Sequence, residues 1–156
     1  MQTMAELHDH LSRSPDREEV SLNRYLEELV DKLQKTFSKI RSDVSIVLDL
    51  QPVEAPLHAA IYLGLIVNEI LTNSYKYAFE HNQQGEIKLT LYTDAKQLVL
   101  ILEDNGKGFE TPYEETRAHS MGFQLIDSLV ESLDGVLEVT NKQGACFTLK
   151  MPLMRD

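Results

Sequence analysis

The chain has 156 residues, 42% of them hydrophobic, with 25 acidic side chains against 15 basic ones and a formal net charge of -10. That supports one core and one domain, while the acidic balance and the lack of a basic cluster exclude a nucleic-acid or anionic-lipid surface. The single cysteine, Cys146, excludes an internal disulfide, no stretch reaches membrane-spanning length and no apolar run opens the chain, which together predict a cytoplasmic setting without direct membrane contact.

Residues 1–20 are polar and broken at Ser14-Pro15-Asp16, so they are expected to be the frayed end of a helix and a linker ahead of a domain over 21–156. Ser21 suits an N-cap, and Leu22, Tyr25, Leu26, Leu29, Val30, Leu33, Phe37 and Ile40 follow at the three-and-four spacing of an amphipathic helix. Val44 to Leu50 is a short β-type run that Pro52 ends. Pro56 suits the first turn of a second helix running to about Phe79. On that helix Glu69, Asn73 and Lys76, separated by four and then three residues, share one face. Ala60, Leu63, Val67, Leu71 and Ala78 make the opposite, dry face, in which Ser74 is the only polar member.

Gly85 opens the strictly alternating run Glu86 to Tyr92, a strand with one covered face, and Gln97 to Asp104 is apolar in its middle, as in a central strand buried on both faces. Residues 109–120 read as an irregular loop. A third helix begins at Gly122 with Phe123, Ile126, Val130 and Leu133 on one face, and Val136 to Val139, the turn at Asn141 to Gly144 and Cys146 to Met151 form a closing hairpin. Strands joined by short turns pair antiparallel, so the order predicts a two-layer α/β sandwich of the α+β kind. Its sheet is mixed and mostly antiparallel, of about five strands, with three helices on one face.

Two segments carry chemistry. Asp104 ends the buried strand, where a carboxylate can accept a hydrogen bond from an exocyclic amine such as adenine's, and Gly106 and Gly108 let the backbone approach a flat ring. The same Asp-Asn-Gly-Lys-Gly is also ordinary turn chemistry. On the helix, Asn73 offers the oxygen that Mg²⁺ favours, Lys76 a cation for phosphate and Glu69 a base or orienting group, against the plainer reading of a solvated face on which Glu69 and Lys76 complement each other. Gly122 offers helix-terminal N–H groups to an anion, although Ser120 reads equally as an ordinary N-cap, and the loop before it would close as a lid. The histidines, His8, His10, His58, His81 and His119, show no zinc spacing, and no P-loop, Rossmann or esterase motif is present.

Together these blocks resemble those of a known family. Leu65 to Phe79, containing Asn68-Glu69 and Asn73-Ser-Tyr-Lys76, resembles the N box of sensor histidine kinases. Glu103 to Phe109 resembles their first glycine box, Ser120 to Ile126 the second, and Gly144 to Leu149 the closing strand. The resemblance covers roughly Ser21 to Pro152 and implies the Bergerat fold with ATP and Mg²⁺ as cofactors. It places Asp104 on the adenine amine, Asn73 on Mg²⁺, Lys76 and Tyr77 beside the phosphates and Glu69 near the γ-phosphate, with Gly106, Gly108 and Gly122 shaping pocket and lid and Phe123 among the ATP-binding residues. It further implies a homodimeric parent kinase, a phosphoacceptor histidine on a helical hairpin, and a response regulator receiver domain as partner. The second box lacks the additional glycines of many kinases, Ala145 stands where threonine is common, and neither His8 nor His10 has the context of the acceptor. A regulatory ATP-binding module without transfer activity and an anti-sigma-type serine kinase are the competing readings.

Overall fold

Ser21 starts the first helix as its side chain dictates: its hydroxyl oxygen accepts the Arg24 N–H at 3.4 Å, and α1 (Leu22–Ser38) follows. The computed structural model describes residues 18–79, 84–108, 120–141 and 143–153. The expected tail helix with His8 and His10, His81, and the expected lid over 109–119 with His119 lie outside the described residues.

Seven strands and two further helices complete the described chain: β1 (Glu19–Ser21), β2 (Val44–Leu50), β3 (Glu54–Pro56), α2 (Leu57–Asn73), β4 (Gly85–Asp94), β5 (Gln97–Asp104), α3 (Met121–Ser132), β6 (Val136–Asn141) and β7 (Ala145–Pro152). The main sheet has the order β2-β4-β5-β7-β6, with β2 and β4 parallel and every other neighbour antiparallel. This is the mixed, mostly antiparallel five-stranded sheet that the alternating runs and short turns demand.

Register explains the core. Leu48, Leu89, Leu102, Phe147 and Val139 lie across from one another in successive strands, so one face of the sheet is a continuous apolar row. Leu22, Leu26 and Val30 of α1, Leu63, Val67 and Leu71 of α2, and Phe123, Ile126 and Val130 of α3 belong to the same core cluster. Truncating a fully buried member such as Leu63 to alanine is expected to cost about 2–5 kcal/mol, measured by denaturant unfolding. Period-two alternation along β5 places Leu98, Leu100, Leu102 and then Asp104 on this inner face, so the strand delivers a carboxylate to the end of an apolar row.

Three local features depart from the sequence reading. Residues 19–21 form β1 and pair antiparallel with β3, clipping the start of α1 to the start of α2. The second helix does not continue as α-helix to Phe79: it ends at Asn73 and rewinds as a π turn over Ser74–Ala78. Finally, the outer face of β5 carries no helical layer among the described residues; Val99 is buried between Tyr92 and Lys150 in the register, Ile101 is half-buried and Glu103 is exposed.

Candidate functional site

The π turn decides what its residues can touch. Wider winding turns the chain less per residue than an α-helix, so positions after Asn73 rotate relative to Glu69 and Asn73. Tyr75 goes inward and stacks on Phe37 of α1, with ring centroids 4.7 Å apart. Ser74 is buried, and its hydroxyl donates to Asp104 Oδ2 at 3.4 Å. Lys76 is exposed, and Tyr77 is 65% exposed.

Asp104 is held by three donors. The N–H groups of Gly106 and Ala145 donate to Oδ1 at 2.9 and 3.3 Å, and Ser74 donates to Oδ2. Burial pushes the Asp104 carboxyl above its ordinary value of 3.8, while the hydrogen bonds from Gly106, Ala145 and Ser74 act in the opposite direction. The backbone around it is equally constrained. The Lys107 N–H donates to the Ala78 carbonyl at 2.9 Å, and a side chain at Gly106 would strike that same carbonyl. Asn105 stitches the loop to β4, its side-chain oxygen accepting the Glu86 N–H at 2.8 Å and its own N–H donating to the Glu86 carbonyl at 3.2 Å.

The start of α3 closes the other side. Ser120 caps it, its hydroxyl oxygen accepting the Phe123 N–H at 3.2 Å. A methyl group at Gly122 would come within 2.7 Å of Glu69 Oε2 and 3.7 Å of Asn73 Nδ2, so the first turn of α3 lies directly over the polar stripe of α2. Gly108, at φ 72°, lies against Asn141, whose side chain would collide with anything larger. The structure thus brings Gly122 against Glu69 and Asn73 and joins Asp104 and Gly106 to the end of the same helix through Ser74 and Ala78, while Gly108 lies against Asn141 and Lys76 and Tyr77 are exposed. Phe123 is 7% exposed, and its ring stacks with that of Phe147 at 6.1 Å, so its side chain packs into the core.

Sequence reasoning missed three contributors. Asn141 is near Gly108, and Asn105 pins the loop. Arg41 grips Asp43 through Nε and Nη2 at 3.1 and 3.3 Å and donates from Nη1 to the Phe79 carbonyl at 3.3 Å, fixing the end of the π turn. All three act across long sequence separations, and only the polarity of Ser74 on a dry face signalled such a contact. A groove of about 550 Å³ on the open sheet face, lined in part by Lys88, Glu103, Thr140 and Cys146, reaches Asp104, Asn105, Gly144 and Ala145 at its end. Among the described residues no helix is long and apolar enough to cross a membrane, and no three His, Cys, Asp or Glu side chains are grouped to hold a metal ion.

The family model described as histidine kinase-, DNA gyrase B-, and HSP90-like ATPase matches residues 58–155, and a second, described as histidine kinase, matches residues 1–37. The chain is 27% identical over 118 residues to blue-light-activated histidine kinase 2 of Erythrobacter litoralis (strain HTCC2594), covering 74% of this chain and 34% of that kinase. It is 25% identical over 131 residues to the anti-sigma F factor of Clostridium kluyveri (strain ATCC 8527), covering 78% of this chain and 90% of that protein. The solved histidine kinase domain of the Erythrobacter litoralis EL346 blue-light activated kinase superposes with a TM-score of 0.81 at 23% identity, over 93% of this chain and 72% of that one, a likeness of fold.

Proposed function

Because the chain belongs to the histidine kinase-, DNA gyrase B-, and HSP90-like ATPase family, we propose that it is the ATP-binding catalytic domain of a sensor histidine kinase, passing the γ-phosphate of ATP to a histidine on another segment or subunit. The observation that carries this reading is the buried hydrogen bond from Ser74 to Asp104, by which the helix bearing Glu69 and Asn73 and the glycine-flanked acceptor loop meet at a single site. Asp104 takes the adenine amine, and Gly106 and Gly108 admit the flat ring. The first turn of α3 turns N–H groups toward the phosphates. Lys76 and Tyr77 reach the phosphates from the rim.

The donor set suits Mg²⁺: Asn73 offers one hard side-chain oxygen beside the Glu69 carboxylate, and phosphate oxygens and water would fill the other positions. When bound, the ion neutralises charge on the transferring phosphoryl group. Glu69 orients the attacking imidazole and accepts its proton as the nitrogen–phosphorus bond forms and ADP leaves. Positioning and charge neutralisation carry most of the rate. The parent kinase is a cytoplasmic homodimer whose phosphohistidine gives up its phosphoryl group, with cleavage of the nitrogen–phosphorus bond, to a response regulator receiver domain.

The test is incubation of the chain with γ-labelled ATP and the separately made acceptor hairpin of the parent kinase. Acid-labile label on the hairpin histidine supports the proposal; acid-stable label on a serine of a partner protein supports the second reading, favoured by the match to the anti-sigma F factor. Tight ATP binding with no label anywhere would leave a regulatory module. Asn73→Ala is expected to remove most of the Mg²⁺ dependence of ATP binding, read by titration with and without the ion.

Acidity gives a further expectation. Adenine binding needs the Asp104 carboxylate ionised, and its titration lies above the ordinary aspartate value, so ATP affinity should begin to fall at a higher pH than a surface aspartate would allow. The folded state holds this proton more tightly than the unfolded chain, so at this group the same acidification favours folding while it removes the acceptor. Calorimetric affinity and melting temperature measured across the acid limb check the two opposite trends.

A further inference from the structure

We infer that Ser74 is a base-selecting residue, whose hydroxyl, hydrogen-bonded to Asp104, restricts the pocket to purines that present an amine at that edge. The inference rests on the ATP-site reading above. A carboxylate offers about four lone-pair positions. Here Gly106 N–H and Ala145 N–H occupy two on Oδ1 and the Ser74 hydroxyl one on Oδ2, which leaves a single acceptor position for an outside donor.

The Ser74 hydroxyl has only one hydrogen, and Asp104 holds it. What Ser74 can still present is acceptor lone pairs. The paired side chains therefore display acceptors alone: an amine N–H is satisfied there, whereas a keto oxygen would face lone pairs with no donor between them. Ser74 is also the residue at which the helix changes from α to π winding, and it is nine-tenths buried, so its hydroxyl is held in place rather than free to swing away. Ala145, across the carboxylate, has no side-chain hydroxyl and contributes only its backbone N–H. The one side-chain hydroxyl bonded to Asp104 among the described residues is that of Ser74.

Removing that hydroxyl frees one Oδ2 lone pair and takes away a donor that favours the ionised acid. Asp104 can then carry its own proton outward and donate it to the keto oxygen of a base. The experiment is titration of the chain and of Ser74→Ala with ATP and with ITP, which carries a keto oxygen in place of the 6-amine. The wild-type chain is expected to prefer ATP, and Ser74→Ala to reduce the ATP-to-ITP affinity ratio about tenfold. Ser74→Cys, which keeps nearly the same volume with a weaker donor, is expected to fall between them.

An unchanged ratio in both variants, or equal weakening of both nucleotides, would overturn the inference, because a merely structural hydroxyl would not distinguish the bases. Wild-type chain that binds neither nucleotide would overturn the ATP-site reading and this inference with it. Wild-type chain that binds ATP while the variants keep its selectivity would overturn this inference alone.

Discussion

Replacement of Asp104 by asparagine is expected to weaken ATP binding by about 1–3 kcal/mol, roughly 5- to 150-fold, while leaving the fold in place. The amide can keep its oxygen at the Oδ1 position, where the Gly106 and Ala145 N–H groups already donate, so those backbone contacts survive. The NH₂ group must then take the Oδ2 position. The Ser74 hydroxyl can rotate to accept from it, but the adenine amine meets a donor where it needs an acceptor. Loss of affinity without loss of melting temperature is thus the signature, and calorimetry that finds ATP affinity unchanged would remove Asp104 from the base pocket.

The second large effect is structural. Gly144→Ala is expected to destabilise the chain by about 3 kcal/mol or more and to lower the melting temperature by roughly 6–12 °C. Gly144 sits at φ 120°, a conformation that L side chains rarely adopt, and a methyl group there would run into the Asp104 carbonyl and lie 2.8 Å from its Oδ1. Neither contact can yield easily, because Asp104 is anchored by backbone donors on both sides. ATP affinity should fall as well, since any shift of the turn carries Asp104 with it. Gly135→Ala is the milder comparison: its methyl would lie 3.1 Å from the Lys150 carbonyl, at a residue without positive φ. Equal melting temperatures for the two variants would mean that the β6–β7 turn does not buttress the acceptor.

The elements legible in the sequence are those whose side chains repeat. Leu22, Leu26 and Val30 mark the inner face of α1, the alternation of Glu86 to Tyr92 marks β4, and Ser21 and Ser120 cap where their hydroxyls suggest. Shorter or non-periodic features were hidden. Three residues of β1 are too few to show alternation, and their pairing with Glu54–Pro56 depends on a partner more than thirty positions away. The change to π winding at Ser74 spans five residues, over which α and π periods do not separate.

The site divides in the same way. Glu69, Asn73 and Asp104 carry recognisable chemistry at recognisable spacing, so they could be singled out before their meeting was visible. Lys76 shares the stripe on an ideal α-helix, but it lies within the π turn, where it is exposed. Phe123 carried two signals at once, a place in a glycine box and a place on an apolar helix face, and packing against Phe147 shows the second at work. Arg41 and Asn141 gave no signal, because an arginine and an asparagine beside turns have many uses and their partners are set by tertiary contact.

A structure of the chain with Mg²⁺ and a non-hydrolysable ATP analogue tests the central claim most directly. The account requires the adenine amine within hydrogen-bond reach of Asp104 and the phosphates beside Asn73 and the first turn of α3. A nucleotide whose base lies along Lys88, Glu103 and Cys146 on the open sheet face, with its amine out of reach of Asp104 and its phosphates away from Asn73, would contradict it.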